Sequence, residues 1–161
     1  MPTSVLKSRT RTDYPYFLTY RTRWSDNDQY GHINNSIYYH LFDSVINSYL
    51  IAHCGISPSS PDSSSPIGLV VSSHCEFFQP LSFPQTLVLG LRVNKLGRTS
   101  VEYEVGVFSQ DADEVAAVGG YTHVFVGKTS RRPVKDGMGE QLRKGLEMLR
   151  FEDGTEKKAR L

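Results

Sequence analysis

The sequence predicts an α+β fold in which one long central helix is wrapped by a curved, mainly antiparallel sheet of about five strands. Three observations predict it. One amphipathic stripe runs over residues 35–53, four long β-rich segments follow in succession, and a shorter β-rich segment precedes the stripe.

The first strand is expected over Tyr16–Trp24, where aromatic residues and Thr alternate with polar ones. In the helix, Asn35–His53, apolar residues fall at Ile37/Tyr38, Leu41/Phe42, Val45/Ile46 and Tyr49/Leu50. Spacing by four over successive turns makes one broad apolar face. Asn34 or Asn35 supplies a cap at its start, and Gly55 and Pro58 lie where the chain must leave it. Ser57–Pro66 is rich in Ser and Pro and reads as a loop.

Strands are then expected over Ile67–Phe78, Thr86–Leu96, Ser100–Ser109 and Val115–Val126, with Gln110–Asp113 as a hairpin connection. Long consecutive strands with short links favour antiparallel pairing. One helix cannot cover both faces of such a sheet, so a partner subunit is expected to extend or cover it. Residues 137–150 suit a short terminal helix with Met138, Leu142, Leu146 and Leu149 on one side. The chain thus divides into a flexible segment 1–14, one domain over 15–135, a helical extension 136–150 and a flexible tail 151–161.

A length of 161 residues fits a single domain with a real core. The formal net charge of +1 argues against a broad nucleic-acid-binding surface. Local basic clusters at Lys7, Arg9 and Arg11, and from Lys128 to Lys135, fit either solvated surface or contact with a small polyanion. No apolar run approaches the ~18 residues of a membrane span, so no membrane partner is expected. Cys54 and Cys75 lack CxxC spacing, and the N-terminus carries no secretory apolar stretch, which suits a reducing compartment. The terminal Ala159-Arg160-Leu161 resembles the small-basic-leucine peroxisomal address. It implies recognition by the peroxisomal import receptor and a matrix location in a eukaryote; otherwise the expectation is cytoplasmic.

The segment that suggests chemistry is Asp26-Asn-Asp28-Gln-Tyr-Gly31, between a strand end and the first turn of the helix. Unpaired amides and the helix dipole at that position suit a developing oxyanion. Gly31 permits the tight bend that folds a carboxylate back toward them. Capping of turns by Asp26 and Asp28 is the simpler alternative. A calcium loop is excluded, because its fifth and twelfth positions would be Tyr30 and Ile37 where oxygen ligands are required. His40 and His53 fit the helix surface, while His74 and His123 fit strand positions with satisfied side chains. None has metal-ligand spacing, and neither a metal site nor a cofactor is expected.

The pattern Arg-x-x-Asp-x-Asp-x-x-Gly-His-x-Asn-Asn-x-x-Tyr, Arg23 to Tyr38, resembles the signature of the 4-hydroxybenzoyl-CoA thioesterase family of hot-dog proteins. The similarity continues in order through Phe42-Asp43, Phe77-Phe-Gln-Pro80, Leu96-Gly-Arg-Thr-Ser100 and Arg131-Arg-Pro-Val134. The resemblance implies a hot-dog fold, an acyl-CoA substrate whose CoA is not a separate cofactor, and a homodimer or homotetramer with sites where protomers meet. It implies that Asp28 is the catalytic carboxylate, as nucleophile or as general base, and that the Asn35 backbone N–H binds the oxyanion. Gly31 shapes the bend, Asp26 supports the loop, and His32 either meets the thioester or fastens the loop. Asp43 is expected to hydrogen-bond to the Asp28 loop. Tyr38, Arg98, Thr99, Ser100, Arg131 and Arg132 are candidates for substrate binding, the arginines because a planar guanidinium pairs with phosphate. Two other activities fit the fold: non-catalytic acyl-CoA binding and enoyl-thioester hydration. The hydratase motif is not found here.

Overall fold

The computed structural model describes residues 2–59 and 65–151. Its elements are α1 (Thr3–Lys7), β1 (Tyr16–Arg21), α2 (Asn35–His53), β2 (Ile67–Phe77), β3 (Thr86–Leu96), β4 (Ser100–Ser109), β5 (Val115–Val126) and α3 (Glu140–Glu147). The five strands form one sheet in the order β1-β3-β4-β5-β2, antiparallel at every pairing. This is the expected α+β hot-dog architecture.

Helix α2 begins because the Asn34 side chain accepts from the Ser36 N–H at 3.0 Å. It ends where Gly55, at φ 69°, turns the chain so that the Ile56 N–H reaches the Leu50 carbonyl at 3.3 Å. Tyr38, Leu41, Phe42, Val45, Ile46, Tyr49 and Leu50 are buried along one face. They pack on Leu87, Leu89, Leu91, Val105, Val107 and Ala117 of the sheet. Each such side chain contributes about 1.5–3 kcal/mol when fully buried. The helix lies so close to the sheet that a Cβ at Gly119 would stand 2.8 Å from the Phe42 ring and 2.3 Å from the His74 carbonyl oxygen.

The first strand is shorter than expected. It stops at Arg21, and Trp24–Asp26 turn as a single 3-10 helix. The cause is local: the Arg23 N–H and guanidinium both bond to the Asp26 carboxylate three residues on.

The expectation of a flexible segment 1–14 is corrected. Leu6 and Tyr14 are buried with Phe108, Val115 and Val118 in a second cluster. Arg9 is buried as well, with its Nε 2.8 Å from Glu104 Oε1. The Tyr14 hydroxyl donates to the same carboxylate at 3.0 Å, and Asn94 donates to it at 2.9 Å. Part of the sheet face away from α2 is therefore covered by the chain's own N-terminal segment, not by a partner.

At the far end of the core, Met138, Leu142, Leu146 and Leu149 are buried around α3, and the Tyr49 hydroxyl donates to the Gly145 carbonyl at 2.7 Å. The tail residues 152–161, including Ala159-Arg160-Leu161, and residues 60–64 of the Ser/Pro loop lie outside the described residues. No helix among the described residues is long and apolar enough to cross a membrane.

Candidate active site

Residues 27–33 form a small hairpin closed by the bridge between Asn27 and Ile33. The Asp28 N–H donates to the His32 carbonyl at 2.7 Å, and the Gly31 N–H donates to the Asp28 carbonyl at 3.2 Å. Gly31 has φ 77°, the left-handed conformation that closes a three-residue hairpin loop. The hairpin is held to the β2–β3 connection by the Ile33 N–H on the Leu81 carbonyl at 2.7 Å, and by the Phe83 N–H on the Asn27 side-chain oxygen at 3.0 Å.

Asp26 is fully buried under this hairpin. One carboxylate oxygen accepts from the Arg23 N–H and the Tyr20 hydroxyl, at 2.7 and 2.9 Å. The other accepts twice from the Arg23 guanidinium, at 3.2 and 3.0 Å. Burial alone raises the Asp26 carboxyl, but these hydrogen bonds and the guanidinium charge outweigh it and hold it below the ordinary carboxylate value. Its backbone carbonyl accepts from the Asn34 N–H at 2.8 Å, joining the loop to the start of α2. With both oxygens engaged inside the protein, Asp26 is a structural group.

Asp28 is held differently. One oxygen accepts from the Tyr30 and His32 N–H groups, at 2.8 and 3.2 Å. Its second oxygen has no hydrogen-bond partner among the described residues. The side chain borders a cleft of about 530 Å³ together with His32, Ile33, Asn35, Tyr38 and Phe77. The Asn35 N–H opens the first turn of α2 on the same cleft and has no acceptor among the described residues. Tyr38 and Phe77 meet edge to face at 4.9 Å between ring centres and form its floor. Burial, with Cys75 as the lesser cause, pushes the Tyr38 phenol up to about 12, so it presents a protonated hydroxyl. An ionisable carboxylate oxygen and an open amide at a helix start are the two elements acyl transfer requires.

Asp28, Gly31, His32, Asn35 and Tyr38 are thus brought together. Arg98, Thr99, Ser100, Arg131 and Arg132 are not. The Arg98–Ser100 turn joins the ends of β3 and β4 remote from Asp28, and β3 alone separates the two ends by about 30 Å. There the Arg98 guanidinium donates to the Lys135 carbonyl. Arg131 and Arg132 are exposed after β5, near the same end. Asp43 does not bond to the Asp28 loop. It lies two turns further along α2, exposed, with no partner for its carboxylate among the described residues.

The sequence marks Phe77 and Phe78 as candidates for pocket lining but offers no such reading for Gln79 and Pro80 in the cleft's second wall. Phe78, Gln79 and Pro80 form it after β2, fixed by the Phe78 and Gln79 N–H groups on the Ala116 carbonyl at 2.8 and 3.0 Å. The Phe77-Phe-Gln-Pro80 motif was the available signal. His123 also departs from expectation: it is buried, but its Nδ1 has no partner among the described residues.

Residues 30–116 match the family model of the thioesterase superfamily. The match opens two residues after Asp28. Among solved structures, the PA5185 protein from Pseudomonas aeruginosa is 43% identical over 89% of this chain and 96% of its own, with a TM-score of 0.83. Slr0204, a 1,4-dihydroxy-2-naphthoyl-CoA thioesterase from Synechocystis, shares the fold at 13% identity, covering 81% of this chain and 94% of its own with a TM-score of 0.72. A Thermus thermophilus thioesterase complexed with coenzyme A and Zn does so at 23% identity, 85% and 95% coverage and a TM-score of 0.68. A comparison with curated proteins gives no match. The matched span exceeds half of the chain, and the chain belongs to the thioesterase superfamily.

Proposed function

We propose that the protein hydrolyses an acyl-CoA thioester to a carboxylic acid and free CoA, with Asp28 as the reacting carboxylate and the Asn35 N–H as the oxyanion donor. The observation that carries this reading is the contrast between the two aspartates. Asp26 spends both oxygens on internal donors, whereas Asp28 keeps one oxygen free beside an open helix-start amide. The Thermus neighbour's bound coenzyme A supports CoA as the thiol carrier.

Two routes satisfy this geometry. As a general base, Asp28 takes a proton from water while the water oxygen adds to the thioester carbon. The resulting oxyanion bonds to Asn35, the C–S bond breaks, and the thiolate recovers the proton. As a nucleophile, the carboxylate oxygen adds instead and CoA thiolate leaves, forming a mixed anhydride that water then hydrolyses. Single turnover in ¹⁸O-water distinguishes them, since attack of water at the Asp28 carbonyl of the anhydride leaves label in Asp28.

The proposed assembly is a homodimer paired through β2. This strand is an eleven-residue sheet edge with no neighbour on its outer side among the described residues, and Val70, Val71 and Phe77 are 48%, 60% and 49% exposed along it. Such an edge invites a second chain. Antiparallel pairing of β2 with its copy sets the remote end of one sheet beside the Asp28 end of the other. Arg98, Arg131 and Arg132 then serve the CoA phosphates of the partner's site.

A panel of acyl-CoAs with free-thiol detection tests the proposal. Thiol release by the wild type and its loss in Asp28→Asn is the expected result. CoA binding without release from any substrate overturns hydrolysis and leaves a binding module. Undiminished release in Asp28→Asn overturns the site assignment.

A further inference from the structure

The Asn35 amide is placed by the residues before it, and the contacts behind it run away from the cleft. The Asn34 N–H donates to the Asp26 carbonyl at 2.8 Å, so the first turn of α2 follows Asp26. Asp26 forms a closed local unit with Arg23, whose N–H and guanidinium both bond to its carboxylate. Among the described residues, one further donor reaches that carboxylate. It is the Tyr20 hydroxyl, 2.9 Å from the oxygen that also accepts the Arg23 N–H.

Tyr20 is suited to fix that unit against the sheet. Its backbone stands opposite Leu87 in the β1–β3 ladder, and its ring packs on the main core. A ring held on both counts aims its hydroxyl in one direction. Burial, and then the bond to Asp26, raises the Tyr20 phenol above its ordinary value, so the oxygen keeps the proton it donates. Asp26 is fully buried, and solvent offers it no alternative donor. Asp28 depends on a different set of contacts, the Tyr30 and His32 N–H groups of its own hairpin. The described cleft wall does not include Tyr20.

We infer that Tyr20 is a positioning residue for thioester hydrolysis: through Asp26 and Asn34 it sets where the Asn35 N–H stands, without touching substrate. The inference rests on the reading of Asn35 as the oxyanion donor. An oxyanion donor works only within about 2.7–3.1 Å of the developing charge, and a misplacement on the order of 1 Å can cost about 100-fold. Loss of the Tyr20 hydroxyl leaves the Arg23–Asp26 turn closed but loosens it from β1. Thr22 and Asn27 still accept from Gln85 and Phe83, so the segment stays folded and the displacement is small. Asn35 then shifts while Asp28 remains on its hairpin. Turnover falls and substrate binding does not.

The test measures kcat and KM for thiol release, on an acyl-CoA that the wild type hydrolyses, in Tyr20→Phe, Asp26→Asn, their double variant and Tyr14→Phe. Tyr14→Phe is the matched control, since it also removes a tyrosine hydroxyl from a buried carboxylate, that of Glu104 on the sheet face away from α2. In parallel, ¹H–¹⁵N spectra follow the Asn35 amide in the absence of substrate. The expected result in Tyr20→Phe is kcat about tenfold lower with KM within about twofold of wild type, and a displaced Asn35 resonance. Tyr14→Phe is expected to keep the wild-type kcat, and the double variant to be no slower than Asp26→Asn alone. An unchanged kcat in Tyr20→Phe, an equal fall in Tyr14→Phe, or losses that multiply in the double variant overturn the inference while thioester hydrolysis stands. If Asp26→Asn does not fold, the Tyr20→Phe and Tyr14→Phe comparison decides together with the Asn35 resonance. Failure of the wild type to release thiol from any acyl-CoA overturns the thioesterase reading, whereas an unmoved Asn35 resonance in Tyr20→Phe overturns the positioning link by itself.

Discussion

Arg9 Nε stands 2.8 Å from Glu104 Oε1, with the two side chains 6% and 3% exposed and 95 residues apart in sequence. This contact pins the N-terminal segment across the sheet. Removing one member of a buried ion pair leaves the other charged and unsolvated, at a cost of about 3–5 kcal/mol. Arg9→Ala is expected to lower unfolding free energy in urea by roughly that amount. The double change Arg9→Met with Glu104→Leu is expected to cost less than the single one. Equal stability of Arg9→Ala and wild type would show that the segment contributes nothing to the fold.

That contact also marks the limit of what the sequence discloses. The bounds of α2, β3, β4 and β5 are those expected, because each carries its own periodicity and its own stop, such as Gly55 after α2 and Gly97 between β3 and β4. Residues 2–14 have neither. Arg9 reads as surface until Glu104 and Tyr14 are brought beside it, and no local pattern encodes a contact over that separation. The tight bend at Gly31 was legible because its parts lie close together in the sequence, between Arg23 and Asn34. The supporting role of Asp26 comes with the family resemblance; its physical basis, the Tyr20 hydroxyl and Arg23 guanidinium on its carboxylate, comes with the fold. His123 was misread for the same reason: a strand pattern reveals that a side chain is buried, not that its nitrogen lacks a partner.

Asp28→Asn is expected to lower kcat by about 100-fold or more, the usual scale for losing a positioned acid–base group. Thermal stability is expected to stay close to wild type, because the amide oxygen still accepts from Tyr30 and His32. Thiol release measured beside a thermal melt separates chemistry from folding. A variant inactive only because it has unfolded would contradict the placement of Asp28 at the surface of the cleft.

Asp26 governs stability in acid. Its folded carboxyl lies below its ordinary value, chiefly because the Arg23 and Tyr20 donors overcome the effect of burial. The folded state therefore binds a proton less readily than the unfolded chain. The resulting stabilisation is fully present above the unfolded value of about 3.9 and is lost as pH falls through the lower folded value. Urea unfolding from pH 6 to pH 2 is expected to show a steeper loss for wild type than for Asp26→Asn. Tyr20→Phe is expected to reduce the slope in part. Parallel profiles for all three proteins would remove Asp26 from the acid response.

Gly119 tests how tightly α2 is seated. The Cβ of Gly119→Ala would fall 2.3 Å from the His74 carbonyl oxygen of β2, a backbone atom that cannot swing aside. Overpacking of this kind costs about 1–3 kcal/mol. Because the displaced strand is the sheet edge, the variant is expected to weaken both unfolding stability and association through β2. Equilibrium unfolding and sedimentation measured together report the two effects.

Val71 addresses that edge directly. It is 60% exposed, lies where the β2–β5 register shifts, and is apolar on a strand whose outer side is unpaired among the described residues. A charge introduced there is nearly neutral for an isolated chain but opposes pairing with a second β2, since burying an uncompensated carboxylate is strongly unfavourable. Val71→Asp is expected to halve the mass in sedimentation equilibrium while the unfolding curve of the monomer remains cooperative. Loss of thiol release is expected to accompany dissociation, because within one chain Arg98, Arg131 and Arg132 lie remote from the Asp28 cleft. A fully active Val71→Asp monomer would place the whole substrate site within one protomer.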